Sequence, residues 1–161
     1  MRMKAHAAAV AVLMVAMGRS SPFAADRDTL KGLRTVDVLV EDLAPEAERD
    51  GLATMALKAN IESQLKKGGV DVSEDATETF YVNVNAHPTG PADGRYMYNI
   101  EVRVSQPAVV LRTNSVTMAI TWSRATVGTR LLNVFPAGVR EDLLDLIATF
   151  LNDYAAVNPK P

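Results

Sequence analysis

The stretch Phe80–His87, FYVNVNAH, decides the fold of this chain. Its residues alternate: those at even positions are apolar, and those at odd positions are polar or amphipathic. Successive side chains of a β-strand point to opposite faces of the sheet, so the stretch predicts a strand with one buried face. A strand buried on both faces would instead be a continuous apolar run. The stretch therefore predicts a sheet that is covered on one face only.

Other segments of the chain repeat this period of two. Strands are predicted at 35–41, 96–104 and 116–123, with a short strand at 70–72. In 116–123 the alternation places Met118, Ile120 and Trp122 on one side of the strand. Pro107 has no N–H to donate, so the strand is expected to be bulged or to lie at a sheet edge there.

Two segments have the periodicity of an amphipathic helix. The first begins at Pro45, and Gly68 is placed to end it. Gly51 weakens the interior of this helix by about 1 kcal/mol, so a shorter helix capped by Asp50 is an alternative. The second helix is predicted over 138–157, and its apolar stripe consists of Val139, Leu143, Leu146, Ile147, Phe150, Tyr154 and Val157.

The predicted element order is β-α-β-β-β-β-α. Because each long strand is half polar, both helices are expected on the same face of the sheet. The fold class is therefore α+β, a two-layer sandwich with two helices on one face of a four- to five-stranded mixed sheet. Residues 26–161 suffice for a single domain with its own core.

Residues 1–25 are predicted to be a secretory signal peptide. Arg2 and Lys4 precede the apolar run 7–18, and small residues precede Asp26. The run is too short to span a bilayer, which takes about 20 residues. No later apolar run in the sequence is longer, so the mature chain is expected to be periplasmic or secreted, without a transmembrane segment.

Composition excludes several kinds of chemistry and partner. The chain has no cysteine, which excludes disulfides, thiol catalysis and thiolate metal sites. Residues 1–25 hold three of the 17 basic side chains and none of the 19 acidic ones, which leaves a net charge of about −5. No basic run remains, so nucleic acid is not an expected partner. After residue 25 the only histidine is His87, and neither a metal nor a cofactor is expected.

The exposed face of the predicted sheet supplies the candidate binding residues. Asparagine is disfavoured in strands, yet Asn83 and Asn85 both lie on this face. The simplest interpretation is a solvated surface; the second is a hydrogen-bonding site for a glycan or a peptide backbone; the third is self-association. The binding candidates are Tyr81, Asn83, Asn85, His87, Asn99, Glu101 and Arg103, with Asp37, Glu41, Thr117, Thr121 and Ser123 on neighbouring strands.

Reactive side chains are too few to assign a catalytic residue. Asp37, His87 and Glu101 are the only credible acid–base groups, and the chain has no GxSxG motif. Tyr96 and Tyr98 lie at the same alternate positions as the apolar residues of their strand. They are therefore expected to pack in the core and not to form an exposed aromatic surface on which a ligand stacks. The sequence thus favours a non-enzymatic interaction module of the cell envelope that uses the open sheet face or an edge strand. The alternative is a hydrolase or other enzyme acting on an envelope substrate.

Several short motifs carry a resemblance to known proteins. The motifs VEDL at Val40, YVNVN at Tyr81, TW at Thr121, VG at Val127 and the terminal FLNDYAAVNPK resemble a set of small exported bacterial proteins of unknown function. This resemblance covers nearly all of the chain after the leader and implies no activity, cofactor or site residues. The element order is also similar to that of envelope-assembly proteins, such as the lipoprotein partner of the lipopolysaccharide translocon. Those proteins carry a lipidated cysteine that this chain lacks, so the similarity concerns architecture only.

Overall fold

A computed structural model describes residues 26–90 and 94–159 of the protein. The predicted signal peptide lies outside the described residues. The elements are β1 (Thr35–Val40), α1 (Pro45–Arg49), α2 (Thr54–Gly68), β2 (Asp71–Val72), β3 (Thr79–Pro88), β4 (Arg95–Val110), β5 (Ser115–Leu131) and α3 (Phe135–Val157). A 3₁₀ turn, Leu132–Val134, joins β5 to α3. No helix within the described residues has the length and hydropathy needed to cross a membrane.

The five strands form one mixed sheet with the order β2-β1-β3-β4-β5. β1 runs parallel to both β2 and β3, whereas β4 is antiparallel to β3 and to β5. The parallel pairs require a crossover connection, and α1 and α2 supply it. The predicted α+β class with a five-stranded mixed sheet is confirmed.

The core lies between one face of the sheet and the two long helices. The even-numbered residues Phe80, Val82, Val84 and Ala86 of β3 are buried there. They belong to the same core as the apolar side chains of both helices, which are Leu57, Ile61 and Leu65 of α2 and Val139, Leu143, Ile147 and Phe150 of α3. The ring of Phe150 packs edge-on against Phe80, with centroids 4.9 Å apart. Both helices therefore cover the face that the alternation in β3 predicts as buried.

The helix predicted from Pro45 to Gly68 is divided in two. α1 ends at Arg49, and the chain passes through Gly51, whose φ of +103° lies in the left-handed region. The alternative prediction of a shorter helix is therefore correct that the helix is interrupted near Gly51. Its prediction that Asp50 caps the shorter helix is wrong, because α2 begins after Ala53. The Asp50 carboxylate instead accepts a hydrogen bond from the hydroxyl of Tyr96.

A β-bulge corrects the predicted faces of β5. Val104 pairs with Trp122 and the next residue, Ser105, pairs with Ile120, which leaves Thr121 as the extra residue. Trp122 is buried in the core, whereas Ile120 and Met118 lie on the opposite face. The prediction that Met118, Ile120 and Trp122 share one side of the strand is therefore wrong.

Beyond the bulge, β4 and β5 leave the rest of the sheet as a two-stranded hairpin. β3 begins at Thr79, opposite Ser105, so the residues of β4 after Ser105 have only β5 beside them. We call residues 106–120 the hairpin arm; residues 111–114 form its turn. Pro107 lies in this arm, so its expected position at a sheet edge is confirmed. The arm exposes large apolar side chains on its surface: Val109, Val110, Leu111, Val116, Met118 and Ile120.

Candidate functional site

The candidate site lies on the open face, which we define as the face of the sheet opposite the helices. It is built from alternate residues of β1, β3, β4 and β5. All seven predicted binding residues lie on it, because β3 and β4 pair in the register Tyr81 with Arg103, Asn83 with Glu101, Asn85 with Asn99 and His87 with Met97. Directly opposite residues in an antiparallel pair point to the same face, so these side chains are neighbours.

The asparagine side chains of β3 are joined in a hydrogen-bonded row. The Asn85 amide donates to Oδ1 of Asn83 over 2.7 Å. The Asn83 amide donates to the carboxylate of Glu41, and its distance to the Tyr81 hydroxyl is 3.4 Å. Glu41 directly follows β1 in the chain, and this row thus connects β3 to the end of the neighbouring strand.

Arg103 and Tyr81 form the second part of the site. The guanidinium donates to Glu101 with an Nε–Oε1 distance of 2.6 Å and stands 5.5 Å from the centre of the Tyr81 ring. The hydrogen bond that Arg103 donates to Glu101 raises the pKa of Arg103 above its ordinary value. Burial, followed by the hydrogen bond to Glu41, raises the pKa of Tyr81 above 10.0. At neutral pH the site therefore presents a cationic guanidinium and a protonated phenol.

Of the three open-face residues predicted on β5, the structure confirms the place of one and corrects that of two. Ser123 pairs with Arg103 and lies on the open face as predicted. Thr117 pairs with Ala108 and points to the opposite side of the arm, so its predicted place on the open face is wrong. Thr121 is the bulge residue, and its hydroxyl accepts a hydrogen bond from the Gln106 amide over 2.6 Å, so it is not part of the open face. The bulge is the physical reason for both differences.

The three acid–base candidates are not brought together. Asp37 is opposite Thr79, Glu101 is opposite Asn83, and His87 lies four residues further along β3. Positions four residues apart on a strand are separated by about 13 Å. In addition, the Glu101 carboxylate is hydrogen-bonded to Arg103. These side chains do not form an acid–base pair.

A shallow depression of about 250 Å³ lies at the His87 end of the open face. Its surface is almost wholly apolar, and the residues that line it are Asn85, His87, Met97, Tyr98, Asn99 and Val127. The alternation in 96–104 places Met97 on the same face as Asn99 and Glu101, but neither Met97 nor Val127 is among the binding candidates predicted from the sequence. Val127 was missed because its segment was not predicted to be a strand, although Thr126 to Leu131 keeps an alternating pattern.

On the helix-facing side of β5, ionic contacts replace apolar packing. Arg124 pairs with Asp153 at 3.0 Å, and Arg130 pairs with Asp142 at 3.2 Å. The Trp122 indole also donates to Asp153, over 3.0 Å. These contacts attach β5 to α3 and hold the last strand in the sheet.

Two buried tyrosines make the fold sensitive to alkaline pH. Burial, followed by hydrogen bonds to Asp50 and Asp142, raises the pKa of Tyr96 and of Tyr98 to about 12. In the unfolded chain the phenol has a pKa of 10.0, so the folded state holds its proton more tightly than the unfolded state does. This difference stabilises the fold fully below pH 10, and the stabilisation is lost as the pH rises towards 12. We expect the urea midpoint to fall as the pH rises from about 10 to about 12, and to fall less in Tyr98→Phe. An equal fall in the variant would contradict this role of Tyr98.

Comparisons with known proteins provide only distant structural neighbours. No family model and no curated protein matches the sequence. The chain is similar to a PelC dodecamer from Paraburkholderia phytofirmans at 16% identity and a TM-score of 0.42, with 76% of this chain and 86% of that chain covered. It is similar to a putative neuraminyllactose-binding hemagglutinin homolog from Helicobacter pylori at 11% identity and a TM-score of 0.41, with 80% of this chain and 90% of that chain covered. A minor lipoprotein from Acinetobacter baumannii has 11% identity and a TM-score of 0.29, with 78% and 94% covered. These scores are too low to carry an argument about function.

Proposed function

We propose that this protein is an exported, non-enzymatic interaction module of the cell envelope. It binds an envelope protein or polymer through hydrogen bonds on the open face of its sheet. The observation that carries the proposal is the connected row of Asn85, Asn83 and Glu41, beside the Glu101–Arg103 pair. The leader-like residues 1–25 support export.

The hydrogen-bonded row orders its side chains before any partner arrives. Ordering a flexible side chain on binding costs about 0.5–1.5 kcal/mol, and groups that are already held avoid part of that cost. Asn85 is exposed, and its amide has two donor hydrogens and one acceptor oxygen, more than its bond to Asn83 uses. The row therefore keeps hydrogen-bonding capacity that faces solvent.

Charge on the open face supports a partner of low charge. Asp37, Glu41 and Glu101 outnumber the cation Arg103 around the asparagines, and Arg103 is already paired with Glu101. A polyanion would meet net repulsion at such a surface. Amide side chains beside an aromatic ring suit the hydroxyls of a neutral glycan or the N–H and C=O groups of a peptide backbone. The enzymatic alternative has no comparable support, because its three acid–base groups are separated along the strands.

The double variant Asn83→Ser with Asn85→Thr tests this proposal. We expect it to capture at least about tenfold less partner from envelope extracts, because losing hydrogen bonds worth about 0.5–1.5 kcal/mol each weakens binding by that order. The readout is quantitative recovery of the co-purified partner on the immobilised exported protein. Both substitutions are on an uncovered face, so the free energy of unfolding should change by less than about 1 kcal/mol.

Asn152→Ser is the matched control, since Asn152 is exposed on α3, on the other side of the molecule. It should capture as much partner as the unchanged protein does. Undiminished capture by the folded double variant would refute the binding role of the asparagine row.

A further inference from the structure

β5 is a long edge strand whose outer backbone groups have no strand to pair with among the described residues. It is 17 residues long and lies at the end of the sheet, next to β4 only. The outer edge of such a strand presents a row of N–H and C=O groups that can pair with another strand. The opposite edge of the sheet is different, because β2 has only two residues.

Most features that prevent edge-to-edge pairing are missing from β5. Its sequence contains no proline, lysine or acidic residue. Its two arginines lie on the helix-facing side, in contact with Asp153 and Asp142. The bulge at Thr121 interrupts the edge, and three carbonyl oxygens of the strand accept side-chain hydrogen bonds: Thr121 from Thr29, Ser123 from Arg124 and Thr129 from Arg130. The open-face positions of β5 are all uncharged: Val116, Met118, Ile120, Ser123, Ala125, Val127, Thr129 and Leu131.

Apolar exposure along β5 is large for a protein surface. Val116 is 72% exposed and Val127 is 70% exposed, and Met118 and Ile120 are each about half exposed. These side chains lie in both halves of one strand, on either side of the bulge. Exposed apolar surface that continues along an edge without a neighbouring strand is typical of an interaction site.

We infer that two copies of this protein associate by antiparallel pairing of β5 with β5 across a two-fold axis. In that arrangement the hairpin arm of one copy lies along the second half of the other copy's β5. The exposed Met118 and Ile120 then come beside the exposed Val127, Val116 comes beside Leu131, and no unpaired charge is buried. The two sheets become one continuous sheet, with the helices of both copies on the same side.

The two edge strands of the sheet differ in length, and this difference favours pairing of β5 with β5. Pairing β5 with the two-residue β2 of the next copy would leave most of β5 uncovered. Pairing β5 with itself covers the whole strand and uses the same surface on both copies, so the assembly closes at two. A strand of 17 residues is about 58 Å long at about 3.4 Å per residue.

The area available is sufficient for a stable dimer. An edge about 58 Å long on a sheet layer about 10 Å thick covers about 600 Å² on each copy. The total of about 1,200 Å² exceeds the roughly 1,000 Å² that a biological interface should bury. This interface leaves the Asn83–Asn85 row on β3 exposed, so the inference does not depend on the proposed function.

Sedimentation of the exported protein, purified after expression of the full chain, tests the dimer. At about 100 μM the unchanged protein should be a dimer, since interfaces of this size bind with micromolar or tighter constants. Val127→Lys should raise the dissociation constant at least about tenfold, because it places a charge on the edge of the sheet. Met55→Lys is the control: Met55 is 77% exposed on α2, away from β5, and the variant should remain dimeric. A monomeric unchanged protein, or an undisturbed dimer in Val127→Lys, would overturn the inference.

Disulfide trapping distinguishes edge pairing from face-to-face contact. The chain has no cysteine, so a single introduced thiol can only bond to its copy in a second molecule. Ser123 is the middle residue of β5 and lies nearest the expected two-fold axis, so Ser123→Cys should form a cross-linked dimer under mild oxidation. Asn85→Cys, on β3, should stay monomeric on a non-reducing gel. Cross-linking through residue 85 but not through residue 123 would show that the open faces, and not the β5 edges, associate.

Discussion

Replacing Trp122 with alanine should lower the free energy of unfolding by about 3–5 kcal/mol, the usual cost of removing a large buried aromatic side chain. Trp122 is 1% exposed, and its ring packs edge-on against Phe150 with centroids 5.2 Å apart. Its indole N–H donates to Asp153, and the Arg124 guanidinium lies 4.8 Å from the ring centre. The substitution removes the packing and the hydrogen bond together. Urea unfolding followed by far-UV circular dichroism measures the loss without depending on tryptophan fluorescence.

Ile120→Ala is the matched control for this prediction. Ile120 is two residues before Trp122, yet the bulge places it on the open face with 54% of its surface exposed. We expect its loss of stability to stay below about 1 kcal/mol. Both variants should carry Val127→Lys, so that loss of the dimer does not add to the measured difference. Similar losses at positions 120 and 122 would show that the two side chains share a face and that the bulge is absent.

Replacing Gly128 with alanine should lower the free energy of unfolding by about 1–3 kcal/mol, the cost of forcing an extra atom into a packed site. A Cβ at this position would lie 2.5 Å from Cζ and 2.9 Å from Cε2 of Tyr98. The Tyr98 ring cannot easily move away, because its hydroxyl donates to Asp142 and the Arg130 guanidinium lies 5.8 Å from its centre. Glycine is otherwise unfavourable in a strand, so this close approach is the reason for its presence.

Two further variants separate this clash from a general effect of alanine. Gly90→Ala meets no atom within 4 Å and should change stability by less than about 0.5 kcal/mol. In a Tyr98→Leu background the cost of Gly128→Ala should largely disappear, because the ring that it meets is gone. If alanine at 128 costs as much in that background, the contact with Tyr98 does not explain the glycine.

The strands and the covered face were predictable because their pattern is local. In β3, and in β4 up to Val104, successive side chains point to opposite faces of the sheet, and every buried position holds an apolar or aromatic residue. The seven candidate residues lie on the open face for the same reason. The helix α3 was predictable from its apolar stripe, although it begins at Phe135, before the predicted start at 138.

The covered face of the second half of β5 was not predictable, because its helix-facing positions are not apolar. Arg124, Thr126, Gly128 and Arg130 occupy positions where the pattern requires buried hydrophobic residues. Their compatibility with the sheet depends on partners elsewhere in the chain. Asp153 is 29 residues from Arg124, and Asp142 is 12 residues from Arg130. A sequence pattern with a period of two contains no information about such contacts.

The sequence by itself determined a half-covered sheet, two long amphipathic helices and a polar row of asparagines on the uncovered face. Those properties follow from the period of the side chains, two residues in a strand and about 3.6 in a helix, which is a property of the backbone and needs no tertiary contact. Only the tertiary structure decided where along β4 the pairing with β3 begins, and hence that a hairpin arm emerges from the sheet. Only the bulge at Thr121 decided that Trp122 enters the core while Met118 and Ile120 face solvent, because one extra residue reverses the alternation of everything beyond it.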